Sequence, residues 1–234
     1  MFKRAKLIGS RNSKDLGVGS RLIADLTAKL YQENLAKYAK GNLLDLGCGN
    51  VPLYGAYKEY VTDNICVDWE NTLHQNQYLD FELDLTGTLP FCDCHFNTII
   101  LSDVLEHIPQ PERLCKEMCR VLCNDGTLIM NVPFFYWIHE RPHDFYRYTE
   151  FALKRFIEES GFALVKLKTI GGSPEILADM LAKHFQILPL IGVPIAIFIQ
   201  YVTAALIRTT FGKKISNKTS EAFPYGYFLV AQKK

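Results

Sequence analysis

The stretch Leu43-Leu44-Asp45-Leu46-Gly47-Cys48-Gly49 constrains this chain more than any other. A short apolar run bounded by glycines reads as a buried strand, because it is too brief for a self-standing helix. The glycines permit a tight turn that a Cβ would obstruct, and GCGNVPLYGAYKEY reads as that turn opening a helix. A strand that turns into a helix begins a βαβ unit, whose strand needs parallel neighbours to bury both faces. NICVDW, FELDL, FNTIILSDV and TLIMNVPF supply them in order. Between the last two, PQPERLCKEMCRVLCNDG is expected to be a helix, with Pro111 in its first turn and Gly126 beyond its end. A helix over Ser20 to about Lys40 precedes the first strand, with Leu22, Ile23, Leu26, Leu30 and Leu35 at helical spacing and Gly41 closing it. YTEFALKRFIEESG reads as a helix capped by Thr149 and ended by Gly161, and ALVKLKTI and YGYFLVAQ as strands. The expectation is an α/β, doubly wound, mostly parallel sheet covered on both faces, with ligands bound beyond the carboxyl ends of its strands.

The 234 residues are enough for one such domain, and 48% hydrophobic residues suffice for its core. The 26 basic and 25 acidic side chains leave a net charge of +1, which argues against a phosphate-tracking surface and so against nucleic acid as partner. Lys3, Arg4, Lys6, Arg11, Lys14 and Arg21 crowd the start with only Asp15 against them, leaving a basic arm or a solvated tail as readings. No apolar segment follows these charges, so no secretory signal is recognised and a cytoplasmic location is expected. Seven cysteines without framework spacing fit a reducing compartment. Cys115, Cys119 and Cys123 recur with Leu114, Met118, Val121 and Leu122 at helical spacing, as packing residues do.

The turn also narrows the ligand. Asp68 closes the second strand 19 positions after Gly49, where an acid can hydrogen-bond ribose hydroxyls. The third glycine of a dinucleotide site is replaced by Pro52, and Asp45 stands just ahead of the turn. A carboxylate there would repel a pyrophosphate and favour a cationic ligand such as the amino group or sulfonium of S-adenosylmethionine.

LLDLGCGN, CVDW, FELDLTGTLPFCDCHFNTIILSDVLEHI and RVLCNDGTLIMNVP resemble, in order and spacing, the successive motifs of class I S-adenosylmethionine-dependent methyltransferases. The likeness covers about Asn42 to Phe162 and is greatest to the group that includes ubiquinone and menaquinone methyltransferases. It implies a Rossmann-like seven-stranded sheet with YGYFLVAQ as an antiparallel last strand, and S-adenosylmethionine as cofactor. By the same likeness Gly47, Cys48 and Gly49 approach the methionine part, Asp68 the ribose, Trp69 the adenine face, Asp84 and Leu85 the adenine edge, and Ser102 the methionyl side, while Asp45 joins the cofactor set by its charge. Asp84 equally suits a strand-end turn.

Methyl transfer from a sulfonium needs alignment and a dry site more than a strong acid or base. A base helps when the acceptor is a hydroxyl or protonated amine. His107, in LEHI, and His143, in HERPHDFYRYT, lie beyond the fourth and fifth strands, and with Arg147 form the expected catalytic set. HERPHDFYRYT is similar to a segment of methyltransferases encoded with bacterial surface-polysaccharide genes. It is equally compatible with a loop in which Arg147 pairs with Asp144. A metal held by His139, Glu140 and His143 is not expected, because their spacing matches no common zinc pattern.

Ile187 to Ile207 contains no charge, and that length suits a membrane span. A single crossing is excluded if the strands on either side share one sheet, and Pro189, Gly192 and Pro194 interrupt the first half. An apolar helical insertion over about 174–222 remains, within a methyltransferase domain of 41–234 that follows a basic arm and helix at 1–40. Lys183, His184, Arg208, Lys213, Lys214 and Lys218 flank the run and suit an anionic cytoplasmic leaflet. Homodimer contact, internal packing and a cap over an apolar substrate stay open beside membrane attachment. Functionally, the expectation is methyl transfer to a small-molecule, glycan or lipid-linked acceptor, at the cytoplasmic membrane face. A quinone-ring enzyme and a non-catalytic membrane-docking module are the alternatives.

Overall fold

In the computed structural model the described residues are 7–12, 16–70 and 78–234. Of the basic residues at the start, Lys3, Arg4, Lys6 and Lys14 lie outside them. The chain divides into two compact units, residues up to 32 with 169–226, and residues 33–168 with 227–234.

The second unit carries the sheet. Its strands are β1 (Asn42–Leu46), β2 (Asp63–Asp68), β3 (Phe81–Glu82), β4 (Phe96–Ser102), β5 (Leu122–Pro133), β6 (Phe162–Ile170) and β7 (Gly226–Lys233), in the order β3-β2-β1-β4-β5-β7-β6. β1 pairs in parallel with β2 and β4, as do β2 with β3 and β4 with β5. β7 runs antiparallel to β6, as the bonds from Tyr225 N–H to the Ile170 carbonyl and from Lys234 N–H to the Gly161 carbonyl show. The seven-stranded sheet with one antiparallel strand is the expected one. Its strand order reverses between β1 and β4, and the crevice beyond their carboxyl ends is where such folds hold ligands.

The middles of the central strands are rich in apolar residues because both faces are covered. Leu44, Leu46, Ile99, Leu101, Leu128 and Met130 are all almost fully buried in one core. α3 (Pro111–Val121) adds Leu114, Cys115, Met118 and Val121 to it, and Pro111 occupies the first turn. The helix stops at Val121, so Cys123 belongs to β5 and not to the helical stripe read from the sequence. β3 is likewise shorter than FELDL. α2 (Tyr54–Tyr57) is a single turn continued by a 3-10 turn at Lys58–Tyr60, a short piece for a segment containing Gly55 and three tyrosines. α4 (Glu150–Glu159) begins as expected, with the Thr149 hydroxyl accepting from Ala152 N–H at 3.3 Å, and Gly161 beyond its end has φ 95°.

The first unit gathers α5 (Ser173–Phe185), α6 (Gly192–Leu206) and α7 (Thr210–Thr219) with the 3-10 turn Val18–Ser20. The side-chain amide of Gln200 on α6 accepts from Leu22 N–H at 2.9 Å and donates to the Gly19 carbonyl at 2.6 Å. Ser20 donates to Asp179 on α5 at 3.2 Å, and Asp179 holds Lys183 at 2.6 Å. Segments more than 150 residues apart are thus joined by buried polar bonds, and the described N-terminal residues group with the insertion. α1 (Arg21–Tyr38) continues the chain toward β1. Lys183 is buried by its ion pair and does not present charge to a surface, contrary to the reading from its place beside the apolar run.

Among the described residues no single helix is long and apolar enough to cross a membrane, and α6 and α7 form a pair bent by 99°. α6 starts at Gly192 with Pro194 in its first turn, so the residues from Ile187 to Ile191 form turns outside it. Its face Gly192, Ala196 and Gln200 is buried, while Val193, Ile197, Phe198, Tyr201 and Val202 are exposed. Leu177, Met180, Leu181 and Phe185 of α5 are exposed in the same unit.

Candidate active site

The turn after β1 is shaped by its hydrogen bonds to β2. The N–H groups of Gly47 and Cys48 both donate to the Val67 carbonyl, at 2.8 and 3.0 Å, which folds the chain back at the sheet edge. Gly47 has φ 68°, and a Cβ built on it would stand 2.4 Å from a methyl of Val104 in the loop after β4. Glycine is therefore required twice over at this position. Gly49, with φ 51°, donates its N–H to Asp68 at 3.1 Å. The other Asp68 oxygen accepts from Trp69 N–H at 2.9 Å, which fixes the carboxylate at the end of β2 and leaves lone pairs for further donors. A glycine turn open to backbone approach, with an acid fixed beside it, fits a nucleoside ligand bearing ribose hydroxyls.

Asp45 departs from the simplest reading of its charge. It lies opposite Cys66 in the β1–β2 register and is almost fully buried. Burial, reinforced by Cys66 and opposed by a hydrogen bond with Tyr57, pushes its carboxyl up to about 8. At neutral pH it is therefore mainly the uncharged acid, and it becomes a counter-charge only where a cation draws the proton off. Cys48 and Leu85 are buried, and Asp84 is exposed, accepting from Thr86 N–H at 2.8 Å as a turn residue does. Ser102 donates to Asn131 on β5 at 2.8 Å, and the Asn131 amide donates to Asp103 at 2.7 Å. Asp103 has φ 52°, so the chain bends sharply as it leaves β4.

The segment after β5 folds over the same rim of this unit. The backbone N–H groups of Phe145 and Tyr146 donate to the Glu106 carbonyl, and Tyr148 donates its hydroxyl hydrogen to the Leu105 carbonyl at 2.9 Å. His107 donates Nδ1–H to the His143 carbonyl at 2.8 Å. The His143 ring stands edge-on to Trp69 with centroids 4.9 Å apart, so two residues expected on separate grounds meet.

Arg147 has a different place from the one expected of a catalytic group. Its guanidinium grips both oxygens of Asp144, at 2.5 and 2.8 Å, and also donates to the carbonyls of Tyr136, Trp137 and Tyr146. A planar fork with its donors engaged inside the loop positions that loop and does not reach for substrate. Burial alone would push the Asp144 carboxyl up, but Arg147 and the His139 N–H outweigh it and hold it below the usual range.

Two residues were not singled out as catalytic candidates. Glu106 is fully buried, and neither carboxylate oxygen has a hydrogen-bond partner. Burial pushes its carboxyl well above the ordinary value. His139 stands with its ring 4.7 Å from that of His107, and burial, with His107 beside it, lowers its pKa. The signal for Glu106 was present in LEHI, an acid set between apolar residues ahead of the expected site histidine. His139 was named only for an unexpected metal set.

Residues 44–130, which build the glycine turn through β5, match the family model described as Methyltransferase domain. No curated protein matches the chain by sequence. Among solved structures, a putative methyltransferase from Bacillus halodurans aligns over 86% of this chain and 99% of its own, at 16% identity and TM-score 0.55. A SAM dependent methyltransferase from Archaeoglobus fulgidus aligns over 88% and 94%, at 18% identity and TM-score 0.56. The cyclase SpnF aligns over 90% and 82%, at 17% identity and TM-score 0.57. At these identities the structural likeness is one of fold, and a fold does not fix a reaction. The family match over residues 44–130, the strands that shape the ligand crevice, and a sheet of this order show a methyltransferase domain on the Rossmann-like methyltransferase fold and support S-adenosylmethionine as its cofactor.

Proposed function

We propose that the chain methylates a hydroxyl-bearing acceptor that is lipid-linked or part of a glycan, while resting on an anionic cytoplasmic membrane surface. When bound, S-adenosylmethionine supplies an electrophilic methyl group on a sulfonium. The reading is carried by the exposed apolar surface of α5 and α6, together with the exposed Arg208, Lys213, Lys214 and Lys218. Phe198 and Tyr201 are 67% and 73% exposed. An apolar patch of this kind rimmed by cations suits the boundary between acyl chains and anionic headgroups.

Gly47 and Gly49 bring backbone close to the cofactor, and Asp68 takes its ribose hydroxyls. Trp69 supports the adenine, with Asp84 and Leu85 along its edge and Ser102 toward the methionyl end. The loop held by Arg147 and Asp144 covers the rim and excludes water, which favours a displacement whose charge is dispersed in the transition state. His143, exposed at this rim beside Trp69, is free to meet the acceptor.

Incubation with methyl-labelled S-adenosylmethionine and a lysate of the source organism, followed by partition between organic solvent and water, tests the acceptor. Label in the organic phase is the expected outcome. Aqueous label would withdraw the lipid-linked acceptor and leave a glycan free of lipid or a soluble metabolite. Cofactor binding without label in either phase would favour the docking module.

A further inference from the structure

The buried Glu106 carboxylate and the two imidazoles beside it have a role that methyl transfer alone does not assign. Glu106 Oε1 lies 3.8 Å from His107 Nε2 and 3.8 Å from His139 Nε2. Both distances are too long for a hydrogen bond, and the carboxylate has no other partner. One ligand atom from each of the three residues can be chosen so that all lie within 4.8 Å of one another. His107 is anchored through its other nitrogen, and His139 sets its other nitrogen close to a carboxylate without a formed hydrogen bond. His107 Nδ1 donates to the His143 carbonyl at 2.8 Å, so in the neutral ring Nε2 carries the lone pair that faces Glu106. His139 Nδ1 is 3.3 Å from Asp144 Oδ2, and Asp144 is itself clamped by Arg147. A carbonyl bonded behind one imidazole and a carboxylate beside the other are the kinds of groups that orient metal-ligating histidines.

We propose that Glu106, His107 and His139 bind a divalent transition-metal ion of the zinc and cobalt class. Two nitrogens and one oxygen suit that class better than magnesium or calcium, which take oxygen ligands. Tetrahedral ligation with bonds of about 2.0–2.2 Å sets neighbouring donors roughly 3.4 Å apart. The two spacings of 3.8 Å to Glu106, and a third within 4.8 Å, close to that with side-chain rotations. Glu140 Oε2, 3.8 Å from His107 Nε2, or a water completes the shell and leaves an exchangeable position. A cation there neutralises the buried acid and favours the deprotonated form of an acceptor hydroxyl in the rim. Methyl transfer then forms the O–CH3 bond as the sulfonium–carbon bond breaks, releasing the hydroxyl proton and S-adenosylhomocysteine. The site itself is independent of the acceptor reading, whereas this use of it rests on that reading.

The test takes the full chain, stripped with a chelator, and titrates Zn2+ against a competing chromophoric chelator while S-adenosylmethionine binding is measured separately. One equivalent of Zn2+ is expected, lost in Glu106→Gln and His139→Ala, and bound about 10–100-fold more weakly in Asp144→Asn. Cofactor binding should persist in all three, which separates failure of the metal site from failure of the methyltransferase reading. Because the chain has exposed thiols, the Cys92→Ser, Cys94→Ser double variant is titrated alongside and should bind as the parent does. The Co2+ spectrum of the unsubstituted chain needs no variant to fold, and should lack thiolate charge-transfer absorption. No stoichiometric binding, thiolate absorption, or binding that survives Glu106→Gln and His139→Ala would overturn the site.

Discussion

Replacing Asp45 by Asn tests whether the carboxyl at the heart of the site is neutral in the cofactor-free chain. Burial pushes it up to about 8, against about 3.9 for an unfolded aspartate. As pH rises between those values the unfolded chain gives up its proton first and so binds fewer protons than the folded one. Stability therefore falls with pH across that window; it is fully present below about pH 4 and stops falling above about pH 8. At up to 1.36 kcal/mol per pH unit, the accumulated loss is about 1.5 kcal/mol at pH 5 and about 4 kcal/mol at pH 7. Asn does not titrate, so the stability difference between Asp45→Asn and the parent should grow by about 2.5 kcal/mol between pH 5 and pH 7. Urea unfolding of both proteins without cofactor reads it, since titrations common to the two cancel. Parallel pH curves would refute the argument and show Asp45 already ionised in the folded chain.

Three further outcomes follow from the geometry. Gly47→Ala forces an L residue to φ 68° and sets its Cβ against Val104; a loss of about 1–3 kcal/mol in denaturant unfolding is expected, with weaker cofactor binding by calorimetry, and Val104→Ala added to it should recover only the part of that loss due to the contact, the φ strain remaining. Arg147→Lys replaces a fork with a point charge against a carboxyl that is only 2% exposed; thermal unfolding should show about 1–3 kcal/mol lost, and turnover should fall more than cofactor affinity because the loop is loosened. Phe198→Glu with Tyr201→Glu removes two exposed aromatics of α6; co-sedimentation with anionic vesicles should weaken by about tenfold or more, and a parent chain that stays in the supernatant would end the membrane reading.

The sheet was legible because parallel strands buried on both faces are predominantly apolar, and Leu43–Leu46, Ile99–Leu101 and Leu128–Met130 carry such runs, with Asp45 the exception in β1. The glycine turn was legible because only glycine tolerates positive φ at Gly47 without strain. Lengths were less so: FELDL contracts to Phe81–Glu82, and α3 yields at Val121 so that Cys123 enters β5. Helical and strand patterns overlap at such junctions, and the sheet's pairing settles where one ends. The place of Arg147 required the folded loop, since the same side chain could bond a neighbour or a ligand. Lys183 was misread for a similar reason, because adjacency to an apolar run says nothing about burial beside Asp179.

What the sequence by itself determined is the order of strands and helices, the glycine turn that suits a nucleoside cofactor, and a charge-free run set between two strands. Those follow from local sterics and hydrophobic period, which a chain carries in its neighbours. Only the tertiary structure decided that Asp45 is a neutral acid, that Arg147 clamps a loop, and that Glu106, His107 and His139 converge. Each depends on which distant groups exclude water from a side chain, and desolvation is a property of the packed molecule that no stretch of sequence holds alone.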